Sequence, residues 1–231
     1  MRIWDINPGY LNRQSLLGEH RELHGIVSII RNNKKGYSRH PETLRWVDHG
    51  WALRQRHRLL AAEMQLRGYT DKSPVTLRSN ASVWPLSFID PPGEQLAILG
   101  RKYQFLEQGR IPLPQNAQQL WAQHKYSVMA RDISAYQQIG KHVANAKGQQ
   151  SSNELAQDLI TLLQSPPLPQ LIPNTLLHMW GYVAEYSSEP KSEVVKLPSG
   201  PLLHVIQQLA LKYRVRYLLG STALGELAAW G

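Results

Sequence analysis

Apolar residues recur along this chain at three- and four-residue intervals, and no stretch alternates residue by residue, so the pattern predicts helices and no strands. Leu16, Leu23, Ile26, Val27 and Ile30 mark one face of a first helix ending near residue 30. Its start is open between two signals, Asn7-Pro8 and Asn12, each an N-capping residue at a helix entry. The run RNNKKGYSRHPET then reads as an exposed basic loop. A second helix is expected over about residues 41–67, with Gly50 as a point of weakness and Gly68 as its stop. Leu53, His57, Leu60 and Met64 form its inner stripe. Residues 72–94 are rich in Pro and Ser, have no period, and read as a connector that packs through Trp84 and Phe88. Further helices are expected at about 94–108, 115–130, 132–146, 152–164, 174–186 and 201–214. The expected class is all-α: two packed helical units, 1–75 and 116–231, joined by a Pro/Ser-rich connector, 76–115, that carries one helix.

Composition narrows this picture. With 42% apolar residues in 231, the chain can bury a sizeable core. Its net charge of +9 is uneven: residues 1–110 hold 17 Lys and Arg against 10 Asp and Glu, and the remainder 9 against 7. A basic N-terminal half favours a polyanionic partner. The absence of cysteine excludes disulfides, thiolate catalysis and cysteine-zinc sites. No apolar run reaches the roughly 20 residues of a membrane span, and MRIWDINPG lacks a signal peptide's apolar core. A cytoplasmic protein with no membrane partner is expected.

The first helix carries the candidate chemistry. Glu22 has Gly18 four residues before it and Gly25 three after, and each glycine costs a helix about 1 kcal/mol relative to alanine. Two glycines beside one carboxylate imply close approach to the backbone, either by another helix or by the chain's own N-terminus or a DNA sugar. The terminal amine of Met1 is a second candidate. An α-amine has a pKa of about 7.7–8.0, against about 10.4 for lysine, so roughly a tenth is uncharged and nucleophilic at neutral pH. Such an amine can form a Schiff base at C1′ of a sugar, given a carboxylate to stabilise the developing cation and handle protons.

Residues 1–70 resemble the pyrimidine-dimer DNA glycosylase (phage endonuclease V-like) family. The likeness rests on Arg2-Ile3, Gln14, Leu16, the block Glu19-His20-Arg21-Glu22-Leu23, and the run from Leu53 to Tyr69. It implies a DNA repair glycosylase and abasic-site lyase. Met1 would be the nucleophile, Glu22 the essential acid, and Arg2 and Arg21 phosphate ligands, with Gln14 matching a DNA-contacting Gln. No cofactor is implied. Three features depart from the family pattern. The bulky Arg2 is expected to keep Met1 in place, where the family exposes threonine after methionine removal. Ser15 replaces a family histidine, and Gly25 replaces an arginine. Lyase chemistry on damaged or abasic DNA is therefore better supported than dimer recognition. The alternative is a non-catalytic nucleic-acid-binding module with a degenerate site.

Other signals add contacts. Arg31, Lys34, Lys35 and Arg39, with Tyr37 among them, suit phosphates and a stacked base. Arg54 and Arg58 share a helix face and are further DNA-binding candidates; Arg56 points elsewhere. His20 and His24 have a metal-binding spacing, but no third ligand is evident from the pattern, so no metal is expected. Residues 95–220, through His124-Lys125-Tyr126 and Gly181-Tyr182 above all, resemble an all-helical bacterial domain of unknown function, often fused to a cysteine-based desulfidase domain. The resemblance implies no catalytic residues here. Packing is the expected role of Tyr126, Tyr136 and Tyr182.

Overall fold

The computed structural model describes residues 1–145 and 152–230. Among these residues it is all helical, with twelve α-helices and no strand. After an irregular N-terminal segment, Asn7 caps a single 3-10 turn, Pro8–Tyr10. Asn12 then caps α1, Arg13–Asn32, by accepting the Ser15 amide. Both expected start signals are used, Asn7-Pro8 for the short turn and Asn12 for the long helix. Helix α1 stops at Asn33, which adopts the left-handed conformation that asparagine tolerates.

The expected second helix is two: α2, Pro41–Trp46, and α3, Gly50–Leu66. Gly50 explains the break. A Cβ there would lie 2.6 Å from Ser79 Oγ and 2.9 Å from Leu77 Cβ, because the 77–79 segment crosses at that point. That segment caps α3, with Ser79 Oγ accepting the Gly50 amide and Ser79 O the Trp51 amide. Helix α4, Pro92–Lys102, is shorter than its expected span. Then follow α5, Ala117–Met129; α6, Ile133–Asn145; α7, Ser152–Leu163; α8, Ile172–Trp180; α9, Lys191–Val194; α10, Ser199–Lys212; α11, Arg216–Leu219; and α12, Ala223–Glu226. Residue 146, the expected end of α6, lies outside the described residues.

Three apolar clusters hold the fold. One joins α1 and α3 with Ile3, Trp4, Ile6, Leu99, Tyr103 and Ile111, so α4 packs with the N-terminal elements. A second gathers α8, α10, α11 and α12 around Tyr126 and Met129. A third joins α5 and α7. The chain's end returns to α3, where Gln55 donates to the Ala229 carbonyl and Arg110 pairs with Glu63 at 2.7 Å. Tyr126 is buried, Tyr136 is half-buried against Trp121, and Tyr182 stacks on Tyr217 at 4.4 Å with its own edge exposed.

His124 of α5 is 1% exposed and donates through Nδ1 to the Leu120 carbonyl. Burial holds its pKa down at about 4, against partial opposition from that bond and from Glu226. A base with a depressed folded pKa is protonated more readily when unfolded. Stability is therefore full above about pH 6.5 and falls as pH drops towards 4, by roughly 3 kcal/mol from this residue alone. Urea unfolding at pH 7.5 and 4.5 checks this: the loss in wild type exceeds that in His124→Gln by about that amount.

Candidate active site around the N-terminal segment

Residues 1–6 lie along one flank of α1, running against its direction. Glu19 Oε1 accepts the Trp4 amide at 3.2 Å, and Glu22 Oε2 accepts the Arg2 amide at 2.5 Å. The register follows from spacing: residues 2 and 4 of an extended segment offer amides on the same side, and residues three apart on a helix share a face. Glu22 is thus held one peptide unit from the Met1 amine. Glu19 is the carboxylate that sequence reasoning passed over. It is 2% exposed and grips Arg56 of α3 in a two-bond pair of 2.7 and 2.8 Å. Burial raises its pKa, while the Arg56 charge and hydrogen bonds pull it back. Arg56 also donates to the Ile6 carbonyl at 2.8 Å, closing the frame around the segment.

Residues far along the chain complete this frame. Gln95 of α4 accepts the Asp5 amide at 2.8 Å and donates to the Asp5 carboxylate. Arg45 pairs with Asp5 and Glu42, and Glu42 also accepts the Trp46 indole N–H. The Arg2 guanidinium pairs with Asp90 at 2.6 Å and lies 4.1 Å over the Trp4 ring. Lys102 donates to Ser15 Oγ at 2.9 Å, bringing an amine to the position where the resemblance expected histidine.

Next to Glu22, the outer face of α1 is bare. Gln14, Gly18, Arg21 and Gly25 fall on one stripe by their spacing, and Gln14 and Arg21 are exposed. A Cβ built on Gly18 or Gly25 meets nothing within 4 Å. Helix packing therefore does not account for these glycines. They leave open backbone on both sides of Arg21, in reach of a ligand.

The expected basic contacts are spread more widely. Lys35, Arg39 and Tyr37 are exposed, Tyr37 at 71% and with a positive φ. Arg31 binds Thr76 Oγ1, and Lys34 binds Ser28 Oγ at 2.8 Å. Arg54 and Arg58 line an open cleft of about 420 Å³ together with His57, Asp71 and Arg78. Arg78 had no helical pattern to single it out.

Residues 1–77 match the pyrimidine dimer DNA glycosylase family. The family domain suggests a DNA repair glycosylase with DNA as its substrate. Residues 125–226 match a second family, described as a protein of unknown function (DUF1722). No curated protein and no solved structure matches the chain. Among the described residues, no helix is long and apolar enough to cross a membrane.

Two outcomes follow for this site. Gly18→Ala and Gly25→Ala each raise stability by about 0.5–1 kcal/mol, because the methyl meets open space and the helix gains propensity. If the bare face receives a ligand, the same variants weaken DNA binding in a fluorescence anisotropy titration. Arg56→Met strands the Glu19 carboxylate and destabilises the fold by about 3–5 kcal/mol, read from the urea midpoint.

Proposed function

We propose that this chain is a DNA glycosylase with an abasic-site lyase step, in which the Met1 α-amine is the nucleophile and Glu22 the acid/base. The observation that carries the reading is the Glu22 carboxylate, anchored on the Arg2 amide beside an open, glycine-lined helix face. The amine attacks C1′, forming a C–N bond as the glycosidic bond breaks, and the departing base takes the electron pair and a proton. The C1′–O4′ bond then opens, O4′ taking its electron pair and a proton relayed from the amine, as the nitrogen lone pair completes the C=N bond of a protonated Schiff base. Loss of a C2′ proton then expels the 3′ phosphate by β-elimination, and hydrolysis of the imine regenerates the amine. Glu22 stabilises positive charge at C1′ and relays protons. A nucleotide flipped from the duplex gives the segment access to C1′.

Phosphate contacts in this reading come from Arg21 and from Lys35, Arg39 and Tyr37, which are exposed and ready to bind. Arg31 and Lys34 would exchange their neutral hydroxyl partners for phosphate. Arg2 would have to leave Asp90, so its ion pair opposes phosphate binding until DNA arrives.

Borohydride trapping on a duplex with one abasic site tests the reading, using untagged protein whose first residue has been verified by mass spectrometry. A covalent adduct mapping to Met1, formed in the presence of chelator and abolished by amine acetylation, is the expected result. Glu22→Gln keeps an acceptor for the Arg2 amide, so the fold persists while turnover drops at least about 100-fold. Salt-sensitive DNA binding with no adduct overturns the catalytic assignment in favour of a binding module.

A further inference from the structure

On the other flank of α1, the structure assembles four donors that the helical pattern alone did not join. His20 and His24 of α1 meet His57 of α3 and Asp71 from the segment after α3, and one ligand atom from each lies within 4.8 Å of all the others. His20 Nε2 is 3.2 Å from Asp71 Oδ1 and 3.3 Å from His24 Nε2, and His57 Nε2 is 3.4 Å from Asp71 Oδ2.

Direct hydrogen bonds among these four side chains do not satisfy all of them. A neutral imidazole nitrogen carries either a proton or a lone pair. If His20 Nε2 holds the proton and gives it to Asp71, it has no lone pair for His24. If it accepts from His24, two lone pairs face each other across the contact with Asp71. His57 is 3% exposed, and its Nε2 has no hydrogen-bond partner. Buried orphans of this kind are rare and call for a ligand.

We propose that His20, His24, His57 and Asp71 form a structural zinc site that ties α1 to α3 and to the segment that follows it. Zinc bonds of about 2.0–2.1 Å in a tetrahedron separate donors by about 3.3–3.4 Å, close to the 3.2 and 3.3 Å that His20 Nε2 keeps from Asp71 Oδ1 and His24 Nε2. Three imidazoles and a carboxylate suit a borderline-soft ion and disfavour magnesium and calcium, which prefer oxygen. Four protein ligands fill the shell, as in structural rather than catalytic zinc sites. Two residues of helix separate Glu22 from His20 and from His24, placing Glu22 about 160–200° around the axis. The ion would therefore fix the helix that carries Glu22 without entering its chemistry.

The test uses the untagged full chain. Metal analysis after growth with zinc is expected to give one equivalent per chain. Cobalt in its place is expected to give the intense visible absorption of a tetrahedral site. His24→Gln and Asp71→Asn, each checked for helicity by circular dichroism, are expected to weaken zinc binding at least about tenfold. Chelator should lower the melting temperature of wild type but not of these variants. Substoichiometric zinc in wild type overturns the proposal, as does zinc or cobalt binding that both folded variants retain unchanged.

Discussion

The buried pair between Glu19 and Arg56 is the constraint on which the N-terminal architecture depends. Placing two charges at 0–2% side-chain exposure costs several kcal/mol per ion, and only a well-formed, fully bonded pair offsets it. The pair here has two parallel bonds, and its remaining capacity goes to backbone: Glu19 takes the Trp4 amide, and Arg56 gives to the Ile6 carbonyl. Those backbone bonds leave the segment one register along α1. In that register Arg2 reaches Glu22. A slip along the helix would lose the bond at Glu22 and leave Glu19 or Arg56 short of a partner in the same step. The geometry of the candidate catalytic pair is therefore enforced by a neighbouring buried ion pair.

Helix α1 divides its work by angle. Leu16, Leu23 and Ile26, fully buried, face the core. One flank of that stripe carries Glu19 and Glu22 and receives the N-terminal segment. The other carries His20 and His24 and meets His57 and Asp71. Opposite the core, Gly18 and Gly25 leave backbone open on either side of Arg21. The glycines weaken the helix by propensity, and the carboxylates and histidines supply the tertiary contacts that hold it in place.

Helix positions were legible because burial of an apolar stripe leaves a local periodic trace, and Leu53, Leu60 and Met64 face inward as their spacing implies. The short helices α9, α11 and α12 left no such trace, since four residues span little more than one turn. Glu22 stood out because its glycine neighbours are local. Glu19 did not: what distinguishes it is a guanidinium 37 residues away. The same holds for the histidine cluster. His20 and His24 form a readable pair, but His57 looked like one more member of α3's inner stripe, and Asp71 lay in an unpatterned loop. Chemistry assembled across elements is invisible to spacing within one element.

The match to the glycosylase family ends at residue 77, yet the segment bearing the amine is not held by residues 1–77 alone. Asp90 binds the Arg2 guanidinium, and Gln95 grips Asp5 at both its amide and its carboxylate. Tyr103 accepts the Asn12 amide where α1 begins, and Lys102 reaches Ser15 one turn further. Gln95 is 1% exposed, so its bonds to Asp5 are made where water competes little for them. Helix α4 acts as a bracket over the N-terminal segment. Its far side packs on α7, which joins the C-terminal helices to that bracket. The position of the first residues is thus coupled through α4 to the part of the chain that matches a family of unknown function. In the proposed reaction, a terminus braced by α4 as well as by α1 would lose less entropy when the amine is brought to a sugar carbon. That would give a physical reason for the two parts to occur in one chain.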